Sequence, residues 1–140
     1  MSTHTLYFAY GSNINKLQMA RRCPDAVFQG MATLHNYRYI INQRGVATVI
    51  PQPGSQVTGV LWSLTPEDES SMDFYEGVPV YYTRHFLGVV QGDAVHLALV
   101  YLAVETRLGL PRPGYQVTIV EKAREQGFDE SYIKELEQWL

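Results

Sequence analysis

The chain contains a single cysteine, Cys23. A framework of intrachain disulfides is therefore excluded, and this usage fits a reducing cytosol. Long apolar runs are missing too, and none approaches the roughly 20 residues of a membrane-spanning helix. Met1 to Thr5 carries no basic region and leads straight into an apolar stretch, so it does not read as a signal peptide. Charge is sparse. The net charge is −3, and no Lys/Arg cluster exists beyond Arg21-Arg22. Nucleic-acid binding is left without electrostatic support. No linker, internal repeat or low-complexity segment interrupts the 140 residues. We expect one domain over residues 1–140, in the cytoplasm, with neither nucleic acid nor membrane as partner.

Tyrosine, by contrast, is abundant, with ten copies. Tyrosines that line a cavity offer apolar surface and a hydroxyl together. The most informative segment contains two of them: Tyr7-Phe8-Ala9-Tyr10-Gly11-Ser12-Asn13. Leu6 to Ala9 reads as a short buried strand, broken at Gly11, with a helical pattern from Ile14. Such a turn gathers backbone N–H groups that can cradle an anion or a polarised carbonyl oxygen. Gly11 permits close approach and positive φ. The plainer reading is an ordinary strand-to-helix turn with Asn13 as N-cap.

The remaining pattern is β-rich. Residues 15–22 follow a helical period with Leu17 and Ala20 inward, ending near Cys23-Pro24. Strands are expected at Ala26–Leu34, Tyr37–Asn42, Val46–Ile50 and Val57–Leu64, the last two separated by a turn at Pro51-Gln52-Pro53-Gly54. Thr65-Pro66-Glu67-Asp68 starts a helix that should end at Glu76-Gly77. Tyr81–Val90 and Ala94–Val104 form a hairpin around Gln91-Gly92-Asp93. A loop at 108–113 and helices near 114–126 and 129–139 close the chain. Many strands with few intervening helices argue for an α+β fold. The expected form is a curved, mostly antiparallel sheet or small barrel with helices packed outside.

The second informative segment is Met72-Asp73-Phe74-Tyr75-Glu76-Gly77-Val78-Pro79, followed by Tyr81-Tyr82. A carboxylate is disfavoured at the negative end of a helix dipole, and partial desolvation raises its pKa. Both effects push Glu76 toward proton transfer near neutral pH. The alternative is a solvated acid ahead of a C-cap glycine. Other groups offer less. His4, His35, His85 and His96 have no metal-ligand spacing. Cys23 before Pro24 reads as a packed thiol. Arg21 and Arg22 complement a helix end, or one of them binds a substrate carboxylate. Asp25, Glu67 and Asp68 read as solvated or capping.

Taken in order, three segments resemble the γ-glutamylcyclotransferase-like family, also described as AIG2-like. They are Tyr7 to Asn13, then Val57-Thr58-Gly59-Val60-Leu61-Trp62 with Met72 to Val78, and Pro111-Arg112-Pro113-Gly114-Tyr115. The resemblance implies a small mixed β-barrel with flanking helices. It also implies that a γ-glutamyl amine or amino acid is cyclised to 5-oxoproline with release of the amine, without metal or cofactor. The family's catalytic glutamate falls on Glu76. Its substrate-cradling loop falls on Tyr10, Gly11, Ser12 and Asn13, and its substrate-contacting tyrosines on Tyr115 and Tyr82, with Tyr81 a rival for the latter. Met72 replaces the leucine that many relatives carry before Asp73. Glutathione-specific relatives carry leucine after Tyr-Gly-Ser, so Asn13 argues against that substrate. Two other readings stand beside this one: a non-catalytic small-metabolite binding module on the same fold, and a hydrolase using Ser12. Against the second, Gly-Ser-Asn is not a Gly-x-Ser-x-Gly elbow.

Overall fold

In the computed structural model, which describes residues 3–140, the first apolar run forms strand β1 (Thr5–Ala9). Met1 and Ser2, part of the stretch read as lacking a signal region, lie outside the described residues. A 3₁₀ turn, Ser12–Ile14, separates β1 from helix α1 (Lys16–Arg22). Two long strands follow, β2 (Val27–Ile41) and β3 (Ala47–Leu64), then α2 (Pro66–Glu76), the hairpin β4 (Tyr82–Gln91) and β5 (Ala94–Ala103), α3 (Tyr115–Glu125) and α4 (Glu130–Glu137). The strands close into a barrel in the order β1-β3-β2-β4-β5. Neighbours are antiparallel except β1 and β5, which run parallel and complete the ring. Phe8, Val60, Leu61 and Leu99 are fully buried in the core built on it. The expected small mixed barrel with outer helices is the fold observed.

Two pairs of expected strands are each one strand. β2 bends at irregularities between Phe28 and Met31 and between His35 and Tyr37. Pro51 to Gly54 was expected to be a turn between strands. It is instead a bulged stretch within β3: His35 pairs with Gln56 and Tyr37 with Pro51, so the extra residues of β3 loop out opposite Asn36. Asn36 takes φ 65° and its Oδ1 accepts from Gly54 N at 3.1 Å. Bulges let long strands bend sharply enough to wrap a small barrel.

Helix α1 also departs from expectation. Asn15, not Asn13, is its N-cap, accepting from the N–H groups of Leu17 and Gln18. This moves the helix start two residues along and turns its face. Met19 is buried, while Leu17 and Ala20 are exposed.

Helix α2 follows its sequence signals. Thr65 Oγ1 accepts from Asp68 N, Pro66 opens the first turn, and Gly77 ends it at φ 66°. Its outward-reading acids are nevertheless engaged. Asp68 is buried rather than solvated, because its Oδ2 accepts the N–H of Asp25 at 3.1 Å. Burial pushes its carboxyl pKa up. Arg84 of β4 bridges Asp73 at 2.8 Å and Glu69 at 2.7 Å. Tyr101 of β5 donates to Asp73 at 2.6 Å. The helix is thereby fixed on the barrel with its last residue, Glu76, held over one end.

Gly59 lies where β3 passes closest to β1. A Cβ there would meet Ala9 O at 2.4 Å and the Phe8 ring at 2.7 Å. Gly59→Ala should lower stability by about 1–3 kcal/mol or more. Urea unfolding checks this, and an unchanged midpoint would contradict the packing described.

Candidate active site

One end of the barrel opens into a cavity of about 330 Å³. Its lining comes from β1 and the residues after it, α1, the turn between β2 and β3, the C-terminus of α2, the start of β4, β5 and the start of α3. The cavity lining includes Tyr10, Gly11, Ser12, Asn13, Glu76, Tyr82 and Tyr115, together with Tyr81. All seven residues singled out by the sequence therefore line one space. Cys23 does not line it. The thiol is buried beside the Asp68 carbonyl, and burial pushes its pKa up to about 12.

Asn13 is the hub of the site. It is buried, and its main-chain oxygen accepts the Trp62 indole N–H at 3.1 Å. Its Oδ1 accepts from Gln18 Nε2 at 2.9 Å and from Arg22 at 3.1 Å. A guanidinium can only donate, so the amide orientation is fixed. Nδ2 is thereby turned toward Tyr7 Oη at 2.9 Å, Met72 Sδ at 3.3 Å and Glu76 Oε1 at 3.4 Å. The side chain that was expected to cap a helix orients the carboxylate instead.

Glu76 is half-buried at the end of α2. Burial raises its carboxyl to about 7, against the smaller opposing pull of Arg22 and then Arg44. The negative end of the α2 dipole acts in the same sense as burial. No ion pair within 4 Å fixes Glu76 in one charge state among the described residues. A carboxyl so placed exchanges protons readily at neutral pH.

The tyrosines are held by backbone. Tyr82 Oη donates to Ala47 O at 2.8 Å, and Tyr115 Oη accepts from Ala47 N at 3.0 Å. One residue of β3 thus anchors two rings through its main chain. Tyr10 Oη donates to Tyr101 O at 2.6 Å. The Tyr115 hydroxyl spends an acceptor in its contact and keeps its proton to donate. Burial raises its pKa to about 12, so it stays protonated. Tyr81 and Tyr82 both line the cavity. Tyr82 is buried, whereas Tyr81 is half-exposed at the mouth under the Arg44 guanidinium.

Gly11 permits a close approach, as expected, but does not take the positive φ also expected of it. It lies at φ −118°. A Cβ would sit 3.3 Å from Ala47 Cβ and 3.5 Å from Tyr115 Oη. Ser12 Oγ accepts from Gln18 Nε2 at 2.9 Å, and none of the lining residues is a histidine.

Residues 7–119 match the family model described as "Gamma-glutamyl cyclotransferase, AIG2-like". The chain belongs to this family. A mouse gamma-glutamylcyclotransferase is 32% identical across 94% of the chain and 76% of its own length. A solved gamma-glutamyl cyclotransferase structure superposes with a TM-score of 0.87 at 28% identity, covering 98% of this chain and 88% of that one. A human protein described as uncharacterized superposes with a TM-score of 0.90 at 28% identity, over 99% of this chain and 89% of the other. This cyclotransferase-family chain is an enzyme of that class, and a small-molecule partner fits its cavity.

Sequence reasoning did not single out four further groups of the site. Arg44, Arg112, Gln18 and Tyr101 also line the cavity. Arg112 lay in plain view within Pro111 to Tyr115. Arg44 carried only the signal of a tight turn ending in Gly45.

Because the raised Glu76 carboxyl fits the fold better neutral, stability falls between about pH 4.5 and 7, where the unfolded chain ionises this group and the folded chain does not. That cost is absent below pH 4.5 and complete above pH 7. Glu76→Gln should therefore be about 1–3 kcal/mol more stable than wild type at about pH 8, with the gap closing at about pH 4.5. Thermal melts at both pH values test this, and an equal gap at each would refute it.

Proposed function

We propose that the chain, acting as a single domain, cyclises a γ-glutamyl amine or amino acid to 5-oxoproline and releases the amine. The observation that carries this reading is Glu76, a carboxyl held near pKa 7 inside a tyrosine-lined cavity. The nucleophile is the substrate's own α-amine, so the enzyme needs no nucleophile of its own. The glutamyl chain must curl until nitrogen meets the γ-carbonyl carbon, and orientation of this kind can supply about 7–11 kcal/mol.

Glu76 as carboxylate takes a proton from the α-ammonium. The freed nitrogen attacks the γ-carbon, and negative charge moves to the γ-oxygen. Glu76 as acid then delivers the proton to the departing nitrogen. The C–N bond breaks, the ring nitrogen passes its second surplus proton to the released amine, and 5-oxoproline and the protonated amine are left with Glu76 ionised again. Tyr10, Gly11, Ser12 and Asn13 cradle the glutamyl part. The leading N–H groups of the 3₁₀ turn have no partner within it. They suit either the γ-oxygen or the α-carboxylate. Tyr82 shapes the wall, and Tyr115 has a proton to donate to the substrate. A Ser12 hydrolase is disfavoured by the Gln18 contact on its hydroxyl and by the lack of a histidine base in the lining.

Glu76→Gln should lower kcat by at least about 10²–10⁴-fold while substrate still binds. In wild type, kcat/KM should rise as pH passes upward through about 7, since Glu76 must be ionised to accept the first proton. Any activity left in Glu76→Gln should lack that rise. Steady-state kinetics across the pH range check both expectations, and a variant within about tenfold of wild type in kcat would remove Glu76 from the mechanism.

Blocking the α-amine separates cyclisation from hydrolysis. Matched γ-glutamyl compounds with free and acetylated α-amines would be incubated with enzyme and the products chromatographed. The free compounds should yield 5-oxoproline and amine, the acetylated ones neither. Release of glutamate, or of amine from the acetylated compounds at a comparable rate, would overturn the reading.

A further inference from the structure

Three guanidinium groups line the cavity, those of Arg22, Arg44 and Arg112, against one carboxyl group, Glu76. Two have hydrogen-bond acceptors. Arg22 donates to Asn13 Oδ1, and Arg112 Nε donates to the Arg44 carbonyl at 2.8 Å. The Arg44 guanidinium has none among the described residues. It lies on the Tyr81 ring, 3.8 Å from the centroid, and its Nη1 is buried without an acceptor. A buried donor left unpaired is costly, so such a group is retained where an outside acceptor completes it.

The turn that presents Arg44 is built rigidly. Asn42 is fully buried, and its Nδ2 donates to Glu105 O at 2.9 Å. Its Oδ1 accepts from Arg44 N at 3.0 Å and Val46 N at 3.3 Å. Gly45 takes φ 80°, and its carbonyl accepts from Arg112 N at 3.0 Å. A Cβ on Gly45 would strike Arg112 Cγ at 2.7 Å. The cation therefore stands on a fixed base, stacked on a ring at the cavity mouth. Such a base reduces the ordering cost of binding an anion.

We propose that Arg44 is a specificity-determining residue that pairs with a carboxylate on the departing amine. The enzyme accordingly favours γ-glutamyl amino acids over γ-glutamyl amines. This rests on the cyclisation reading above. The α-amine must reach Glu76, and this assignment sets the α-carboxylate, on the same carbon as that amine, on the side of Asn13 and Arg22. The departing group then points to the mouth, where Tyr81 is 48% exposed and carries Arg44. A planar guanidinium suits a carboxylate through paired N–H donors.

The test compares γ-glutamyl-L-alanine with γ-glutamyl-L-alaninamide, which differ only in that carboxylate, on wild type, Arg44→Ala, Arg44→Gln and Arg44→Lys. Wild type should prefer the acid by about 10- to 100-fold in kcat/KM. In Arg44→Ala, and in Arg44→Gln as a variant that keeps the side-chain stem, the acid should lose at least about tenfold more than the amide. Arg44→Lys should restore part of the preference. No discrimination by wild type, or equal loss on both substrates, would overturn the assignment. Failure of both compounds to give 5-oxoproline would instead refute the cyclisation reading. Calorimetric binding of the same pair then decides for Arg44: acid-selective binding lost in Arg44→Ala upholds it, and equal or absent binding overturns it.

Discussion

The contact between Arg22 and Asn13 Oδ1 sets the polarity of the whole site. Arginine has no acceptor, so this contact decides which end of the amide faces inward. The other end then supplies donors to Tyr7, Met72 and Glu76. Two N–H bonds face three acceptors, and Glu76 at 3.4 Å is the most distant. The carboxyl is thus steered without being tightly held. A strong ion pair would have pulled its pKa down and ended its usefulness near neutrality. Arg22 is near enough to orient the amide, yet its pull on Glu76 remains weaker than the effect of burial.

That balance needs α2 to be fixed, since a small rotation would carry Glu76 into solvent. The helix is fixed by its other side chains. Asp73 and Glu69 engage Arg84, and Tyr101 adds its hydroxyl to Asp73. Tyr101 also packs edge-on against Tyr7, with ring centroids 5.6 Å apart. The ring that clamps the helix and the ring that receives the Asn13 amide therefore support one another. Cross-strand aromatic contacts of this kind add modestly to stability and strongly to geometry.

Much of this was legible in the sequence because it is local. Thr65-Pro66 and Gly77 fix both ends of α2 by backbone chemistry alone, and so place Glu76 at a helix terminus. The break at Gly11 and the hairpin at Gln91-Gly92-Asp93 are equally local. What could not be read depends on distant pairing. Pro51 to Gly54 looks like a turn between strands, and only the register of β2 against β3 makes it a bulge. The family resemblance set Asn13 in the cradling loop, but that its amide faces Glu76 rather than capping a helix depends on Trp62, Gln18 and Arg22. Asp68 looks solvated until the chain before β2 lays the Asp25 N–H against it.

The same division explains why the tyrosines resist reading by count. Their rings fill the wall of the cavity, but their roles differ by which atom the hydroxyl spends. Tyr10 and Tyr82 donate their protons to main-chain carbonyls and present carbon to the cavity. Tyr115 accepts from the Ala47 N–H, which leaves its proton free. Tyr82 and Tyr115 use the two polar main-chain groups of one residue, the carbonyl and the N–H of Ala47. The direction in which β3 enters the barrel therefore decides which ring keeps its proton. A strand entering with the opposite sense would offer each hydroxyl the other kind of partner and exchange the two roles. The chemistry of the wall is thus written in the path of β3, and in the bulges and turn that bring its first residues to the mouth of the barrel.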